Sequence, residues 1–228
     1  MPSYNELCYD ILELLRGDQI SDDTDISERH IMFHIDLQRA LWIRNEYNKP
    51  GRKIDPQMEQ DLGCLKLVEV DAADCCEIKT GCIMLRTEMK MPMFIDLHTG
   101  PAITRVGPVS KIMRPYVFTN YQRVPYQLEG KYSSKEVYMF LLNGYMYFVT
   151  NNPELQTVDY VNVRGLLANP RDMEDFDCED HCFSLDDQYP MPNWMIPYIK
   201  EQILKQFGVA LQIPKDDTND ANESLRKA

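Results

Sequence analysis

Apolar residues recur every three or four positions at the start of the chain, and a polar loop interrupts the pattern once. Ser3 and Glu6 form an S-x-x-E capping box ahead of the first apolar run, and Gly17 follows its end. A capping box satisfies backbone N–H groups at a helix start, and glycine commonly ends a helix. The pattern therefore predicts a short amphipathic helix.

A second, longer helix is predicted for the stretch ISERHIMFHIDLQRALWIRNEYNK. Asp25 and Glu28 make a capping box at its start, and Pro50 and Gly51 end it. Its apolar residues occupy more than one face of the helix. A helix with so little polar circumference is expected to lie between neighbours, either in this chain or in the next subunit.

Between residues 66 and about 162 the apolar period changes to two, which is typical of β-strands. A first strand is expected around 66–70, and TVDYVNVRGLL is expected to form a late one. The clearest element is KEVYMFLLNGYMYFVT, where two apolar runs flank Asn143 and Gly144. An Asn-Gly pair between such runs predicts a β-hairpin.

The last part of the chain returns to helical spacing in NWMIPYIKEQILKQFGVALQI, with Pro197 in the first turn, where proline is tolerated. The order of elements predicts an α+β fold in which the N- and C-terminal helices pack together as a helical bundle, with a β-rich insert between them. We expect an N-terminal helical part at 1–65, the β-rich insert at 66–165, a C-terminal helical part at 166–211 and an extended acidic tail at 212–228.

Charge and composition narrow the functional classes. The 228 residues carry a formal charge of −12, which disfavours a nucleic-acid-binding surface because phosphate contacts need clustered Lys and Arg. No apolar run reaches the roughly 20 residues of a membrane span, and the N-terminus does not resemble a signal peptide. The seven cysteines are irregularly spaced, as expected of reduced thiols. We expect a protein that is made in the cytoplasm and has no membrane partner.

Several residues are of metal-binding types, but their spacing is weak evidence for a site. His30 and His34 stand one helical turn apart without the Glu of an H-E-x-x-H motif. The acidic run at 172–187 lacks the residue order and the glycine of an EF-hand. A zinc site would have to draw on residues without C-x-x-C spacing, namely Cys75, Cys76, Cys82, Cys178, His181 and Cys182. We predict no bound metal and no cofactor.

Motifs of catalysis are missing from the sequence. It contains no phosphate-binding P-loop, no G-x-G-x-x-G and no G-x-S-x-G. Cysteine and histidine come close together only at 178–182, where the acidic neighbours disfavour a reactive thiolate. We therefore predict that the protein is not an enzyme.

Three features together resemble a known family. They are the opening helix pair (YNELCYDILELLRG and ISERHIMFHIDLQRALWIRNEYNK), the β-rich middle and the closing stretch YPMPNWMIPYIKEQILKQFGVALQIPKDDTNDANESL. This layout is similar to the head-to-tail connector proteins (adaptor or tail ring proteins) of short-tailed bacteriophages, most closely to the ring proteins of crAss-like phages. The closing motif is the most specific part, and VRGLLANPRDMEDF supports it more loosely.

The resemblance implies a structural virion protein without enzymatic activity. Copies would assemble into a closed ring, a dodecamer that follows the dodecameric portal, within the head-to-tail connector or tail barrel. The implied partners are other copies of the chain, the portal and neighbouring tail ring proteins. Genome DNA would pass through without specific binding, because an acidic lining repels phosphate.

A closed ring requires two different, mutually complementary faces on each subunit. We expect the long helix, the hairpin, the last helix and the tail to supply these faces, with the tail lying along a neighbour. The candidate interface residues are Phe33, Leu37, Trp42, Tyr145, Tyr147, Trp194, Leu211, Ile213, Asp216, Asp217 and Leu225.

The alternative function is a monomeric intracellular binding or regulatory module, in one version stabilised by zinc at the cysteines named above. This alternative predicts a monomer in solution, whereas the ring interpretation predicts assembly.

Overall fold

The structure is a computed structural model that describes residues 2–16, 26–72, 81–110, 112–131, 133, 135–151, 158–176 and 184–210, with the backbone alone at 208–210. The predicted tail at 212–228 lies outside these residues. Within them, no helix combines the length and the apolar character needed to cross a bilayer.

The α-helices of the described residues occupy the two ends of the chain and one short segment in the middle. They are α1 (Tyr4–Arg16), α2 (Glu28–Tyr47), α3 (Val124–Leu128) and α4 (Ile196–Ala210). Pro197 stands in the first turn of α4, as expected, and a 3-10 turn at Asn193–Met195 leads into that helix.

The start of α1 confirms the predicted capping box, whereas the N-cap of α2 is a different residue from the one predicted. At α1, Glu6 N donates to Ser3 Oγ (3.1 Å) and Ser3 N donates to Glu6 Oε2 (2.8 Å), so the predicted capping box is present. At α2 the N-cap is Ser27, whose Oγ accepts from the backbone N–H of His30 at 3.3 Å. Asp25, the predicted capping residue, lies outside the described residues.

Strands make up the middle of the chain. They are β1 (Gln60–Asp71), β2 (Ile83–Thr87), β3 (Asp96–Leu97), β4 (Gly100–Pro101), β5 (Ile103–Pro108), β6 (Val117–Phe118), β7 (Tyr138–Leu142), β8 (Tyr145–Val149) and β9 (Tyr160–Gly165). Seven of them form one sheet in the order β5-β9-β1-β2-β8-β7-β6, while β3 and β4 pair separately. Every pair is antiparallel except β6 with β7.

The hairpin between β7 and β8 forms where the Asn-Gly pair predicted it. Asn143 and Gly144 have φ angles of 53° and 82°, and they connect the paired residues Leu142 and Tyr145. Two successive positive φ values characterise the type I′ turn, whose twist matches that of the flanking strands. The hairpin prediction is confirmed.

The seven-stranded sheet curls until its two edges meet. Tyr116 N, just before β6, donates to Val106 O of the opposite edge strand β5 at 2.7 Å, while Val117 N donates to Val137 O beside β7 at 2.9 Å. The curl encloses an apolar core that includes Leu62, Val106, Met146 and Val163. Pairing of the edges also removes free backbone groups that would otherwise invite aggregation.

A second core lies where α1, α2 and α4 cover one end of the sheet. It joins helical residues such as Ile11, Ile35 and Ile203 to Ile95 and Leu166 from the sheet end. The expected terminal helical bundle with a β-rich insert is therefore wrong. The seven-stranded sheet is the main body, and the helices bury their apolar faces against it as well as against each other.

Gly165 is a position where the curled sheet tolerates no side chain. It pairs with Gln60 of β1 and with Ile103 of β5, and an added Cβ would lie 2.7 Å from Ala102 O and 2.7 Å from the Phe94 ring. Both distances are well inside van der Waals contact, so either the strands or the ring would have to move.

We predict that Gly165→Ala lowers the free energy of unfolding by about 1–3 kcal/mol, the usual cost of overpacking a core. Denaturant unfolding measures this change. The matched control is Tyr160→Thr at an exposed site of the same strand, with an expected change within about 0.5 kcal/mol. Equal stability of Gly165→Ala and the parent would show that Gly165 is not packed against Ala102 and Phe94 as described.

Candidate subunit interface

Helix α2 carries an exposed apolar row. Phe33 is 55% exposed, Leu37 37% and Leu41 42%. The three residues are spaced at i, i+4 and i+8, so they lie along one face of the helix. We call Phe33, Leu37 and Leu41 the α2 stripe.

The flanks of the α2 stripe carry charges of both signs. Arg29 precedes Phe33 by one helical turn, Arg44 follows Leu41 by three residues, and both are exposed. Side chains three and four residues apart are neighbours on a helix surface. Acidic residues line a cavity together with Phe33, among them Asp172 and Glu174. The stripe is thus an apolar patch with a charged rim, a composition that suits a protein contact better than open solvent.

The opposite face of α2 is buried and contains an arginine. Arg39 is fully buried, and its guanidinium donates to three backbone carbonyls. The acceptors are Pro190 O at 2.9 Å, Leu167 O at 2.8 Å and Met58 O at 3.2 Å. These carbonyls come from three separate segments of the chain, so one side chain ties α2 to all of them.

Asp36, one turn earlier on the same face, forms the second part of this polar network. Tyr189 Oη donates to Asp36 Oδ1 at 2.8 Å, and Tyr4 Oη lies 2.8 Å from Asp36 Oδ2. Arg171 pairs with the same carboxylate at 3.1 Å. Burial raises the pKa of Asp36 above its usual range, while the tyrosine hydroxyls and Arg171 oppose that shift. Burial likewise raises the pKa of Tyr4 and Tyr189, so both hydroxyls keep their protons as donors.

The network gives α2 its orientation and leaves its polar groups occupied. Arg39 and Asp36 hold the buried face against the sheet end, α1 and the segment before α4, and this determines which face of α2 points outward. These charges are paired or hydrogen-bonded inside the fold, as buried polar groups generally are, so they hold α2 in place.

Trp42 and Trp194, two of the predicted interface residues, contact each other within the chain. The rings of Trp42 and Trp194 meet edge to face with centroids 4.9 Å apart. Trp194 is exposed and Trp42 is half-buried. Trp42 follows Phe33 by nine residues, or two and a half turns, so the tryptophan pair and the α2 stripe face in different directions.

Tyr145 and Tyr147 are half-buried on one face of β8 and already have partners within the chain. The Arg86 guanidinium lies 4.2 Å from the Tyr145 ring, and Tyr147 stacks on Phe140 with centroids 5.4 Å apart. The remaining predicted interface residues lie outside the described residues: Leu211, Ile213, Asp216, Asp217 and Leu225.

Sequence reasoning missed two features of this surface. Leu41 belongs with Phe33 and Leu37, and the regular spacing of four residues is the signal that could have identified it. Arg39 was not distinguished from surface charges. Its only signal is a lone basic residue on the apolar side of α2, and burial of the guanidinium depends on carbonyls distant in sequence.

The two histidines of α2 pack against an aromatic ring. His30 and His34 have ring centroids 4.9 Å apart, and Phe207 of α4 meets them edge to face at 5.4 and 5.0 Å. Burial and the neighbouring His30 charge lower the pKa of His34, with a hydrogen bond to Gln206 opposing the shift. The pair therefore contributes to the contact between α2 and α4.

The candidate zinc ligands lie mostly outside the described part of the chain. Cys82 is within the described residues, whereas Cys75, Cys76, Cys178, His181 and Cys182 lie outside them. Among the side chains that the structure does describe, no group of three His, Cys, Asp or Glu could hold a metal ion.

An exposed apolar face on a helix that buried polar contacts hold in place is characteristic of a subunit of a larger assembly. The chain belongs to the phage tail ring protein 2 family, whose model matches residues 6–225. Across 233 aligned residues it is 24% identical to "Ring protein 2" of Bacteroides phage crAss001, with 99% of each chain covered. The resemblance to the ring proteins of crAss-like phages is confirmed. The protein is a structural component of a phage tail ring.

We predict that Arg39→Met lowers the free energy of unfolding by about 3 kcal/mol or more, since it leaves three buried carbonyls without a donor. Thermal and denaturant unfolding measure this loss. Arg44→Met on the exposed side of α2 is the matched control and should change stability by less than about 0.5 kcal/mol. Equal effects of the two substitutions would contradict the role of Arg39.

The lowered pKa of His34 predicts a pH dependence of stability. Its folded pKa lies below the unfolded value of 6.5, so the unfolded state binds more protons between the two values. The stabilising contribution is complete above pH 6.5 and is lost as the pH falls through the folded pKa.

His34→Gln should therefore lose less stability than the parent on acidification, as measured by melting temperatures in small pH steps. Above about pH 7.5 the two curves should run parallel, because His34 is then neutral in both states. Parallel curves throughout would refute the assignment.

Proposed function

We propose that copies of this protein form a closed ring in the head-to-tail connector, joining the portal to the tail and letting genome DNA pass. The subunit number we propose is twelve, which would match a dodecameric portal. The observation that carries the proposal is the α2 stripe, found in a chain that belongs to a tail ring family.

The energetics of the α2 stripe favour association. Complete burial of a fully exposed Leu or Phe side chain contributes roughly 1.5–3 kcal/mol, and a half-exposed side chain gains about half of that. Three such residues on one rigid helix, with Arg29 and Arg44 at the rim, have the composition of an interface centre: an apolar core with charges around it. The helix is already oriented by Arg39, so docking would require little further ordering.

The charge of the chain supports a passage for DNA better than a binding site for it. A formal charge of −12 gives no gain from counterion release on contact with phosphate. Repeated around a ring, acidic surfaces would repel the DNA backbone and let it slide. In this proposal the DNA is a passenger, and the partners of the protein are its own copies, the portal and the adjoining tail proteins.

The deciding experiment is the mass of the purified protein, alone and mixed with the portal of the same phage, followed by electron microscopy of the assembled fraction. A closed ring in either sample is expected. A monomer that never associates with itself or with the portal would overturn the proposal and favour the monomeric binding module, for which metal content would be the next measurement.

We predict that Leu41→Glu weakens ring formation at least about tenfold, which corresponds to the loss of about 1.4 kcal/mol or more at the interface. Light scattering over a concentration series measures the effect. Leu14→Glu on α1 is the matched control, because it introduces the same charge at a leucine that is 53% exposed. Equal assembly of the Leu41 variant and the parent would exclude the α2 stripe as an interface.

A further inference from the structure

The loop between β5 and β6 holds an isoleucine almost entirely in solvent. Ile112 is 97% exposed, and the adjacent Met113 is 59% exposed. The loop is tied down nonetheless: Met113 N donates to Ser110 O at 3.2 Å, and an Arg105 guanidinium N–H donates to Met113 O at 3.2 Å. A held turn that points an apolar side chain outward is typical of a contact residue. We call Ile112, Met113 and the exposed Arg114 the apolar knob.

A groove with complementary properties lies on another part of the molecule. It has a volume of about 680 Å³, and its walls include Met93, Phe94 and Leu141. Met93 is 73% exposed at its mouth. Among the described residues that line it, three carboxylates (Asp96, Asp172 and Asp175) outnumber the single Lys90. We call this site the acidic groove.

The apolar knob and the acidic groove lie at opposite ends of the same strands. β6 runs parallel to β7 with Val117 opposite Tyr138, so the loop before β6 lies at the Tyr138 end of β7. The acidic groove includes the turn at Asn143 and Gly144, beyond the other end of that strand. At about 3.3 Å per residue, β7 alone separates them by roughly 13 Å. The knob of one chain therefore does not reach its own groove.

The charges of the two surfaces are complementary. Arg114 is exposed, and it pairs with the Glu136 carboxylate at 3.9 Å, a weak surface pair. In the groove, burial and then the neighbouring Asp175 charge raise the pKa of Asp172, with Arg171 and Asn169 opposing. A cation brought beside Asp172 and Asp175 would relieve this repulsion, while Ile112 would leave water for the Met93 and Phe94 walls.

We propose that the apolar knob of one copy docks into the acidic groove of the next copy, with Ile112 as its apolar anchor and Arg114 facing the groove carboxylates. The contact is heterologous, since it joins two different surfaces, and this is the type of contact that can close into a ring. It deepens the ring function proposed above and rests on it, and it adds a second contact to that of the α2 stripe.

Engineered cysteines test the contact directly in the assembled protein. The double variant Ile112→Cys/Met93→Cys should form a ladder of disulfide-linked multimers when the assembled ring is mildly oxidised. A mixture of the two single variants should yield linked dimers, which proves that the bond joins different copies. Each single variant alone shows the background from the native cysteines. Both substitutions are at exposed positions, so folding should be unaffected.

A charge exchange provides an independent readout. Arg114→Glu should weaken assembly several-fold, and adding Asp175→Arg should restore it, because attraction returns with reversed signs.

Rings that form normally with Ile112→Asp, without a ladder in the double-cysteine variant, would overturn this contact and leave the ring function intact. A ladder that links residue 93 to another part of the chain would assign the groove to a different occupant and would also overturn it. Absence of rings from the parent protein, alone and with portal, would overturn the ring function itself.

Discussion

The fold depends on one buried cation. The Arg39 guanidinium donates to the carbonyls of Met58, Leu167 and Pro190, which belong to segments up to 151 residues from it in sequence. Each carbonyl would otherwise be a buried acceptor without a donor, and the charge itself would be costly to bury alone. The turn before β1, the segment after β9 and the entry to α4 are therefore brought to the same face of α2.

Helix α2 presents apolar residues on both an inner and an outer face. Its inner face is used by the fold: Arg39 donates to the three carbonyls, and Asp36 contacts Tyr4, Tyr189 and Arg171. Its outer face presents Phe33, Leu37 and Leu41, which the single chain leaves 37–55% exposed. A rigid apolar surface loses little conformational entropy on docking, so most of the burial energy is available for association. On α2, polar contacts therefore hold the inner face in the fold, while exposed apolar residues on the outer face are available for association.

The curled sheet sets the geometry for the rest of the surface. Pairing of Tyr116 with Val106 joins its edges, and the loop that makes this connection carries Ile112 at one end of the strands. The hairpin turn at Asn143 and Gly144 forms part of the groove at the other end. A body with different surfaces at its two ends is suited to head-to-tail contact, and the rotation between neighbouring copies decides whether such contacts close into a ring.

The sequence by itself determined the local elements and the family. The Ser3–Glu6 capping box, the Asn-Gly hairpin and the last helix depend on residues within four positions of each other, and their patterns predicted them correctly. The closing motif likewise identified a tail ring protein. Only the tertiary structure decided that a curled seven-stranded sheet, and not a helical bundle, is the main body, because apolar periodicity shows that a helix face is buried without showing what covers it. Burial of Arg39 and exposure of Leu41 have the same origin: they follow from partners distant in sequence, which periodicity cannot identify.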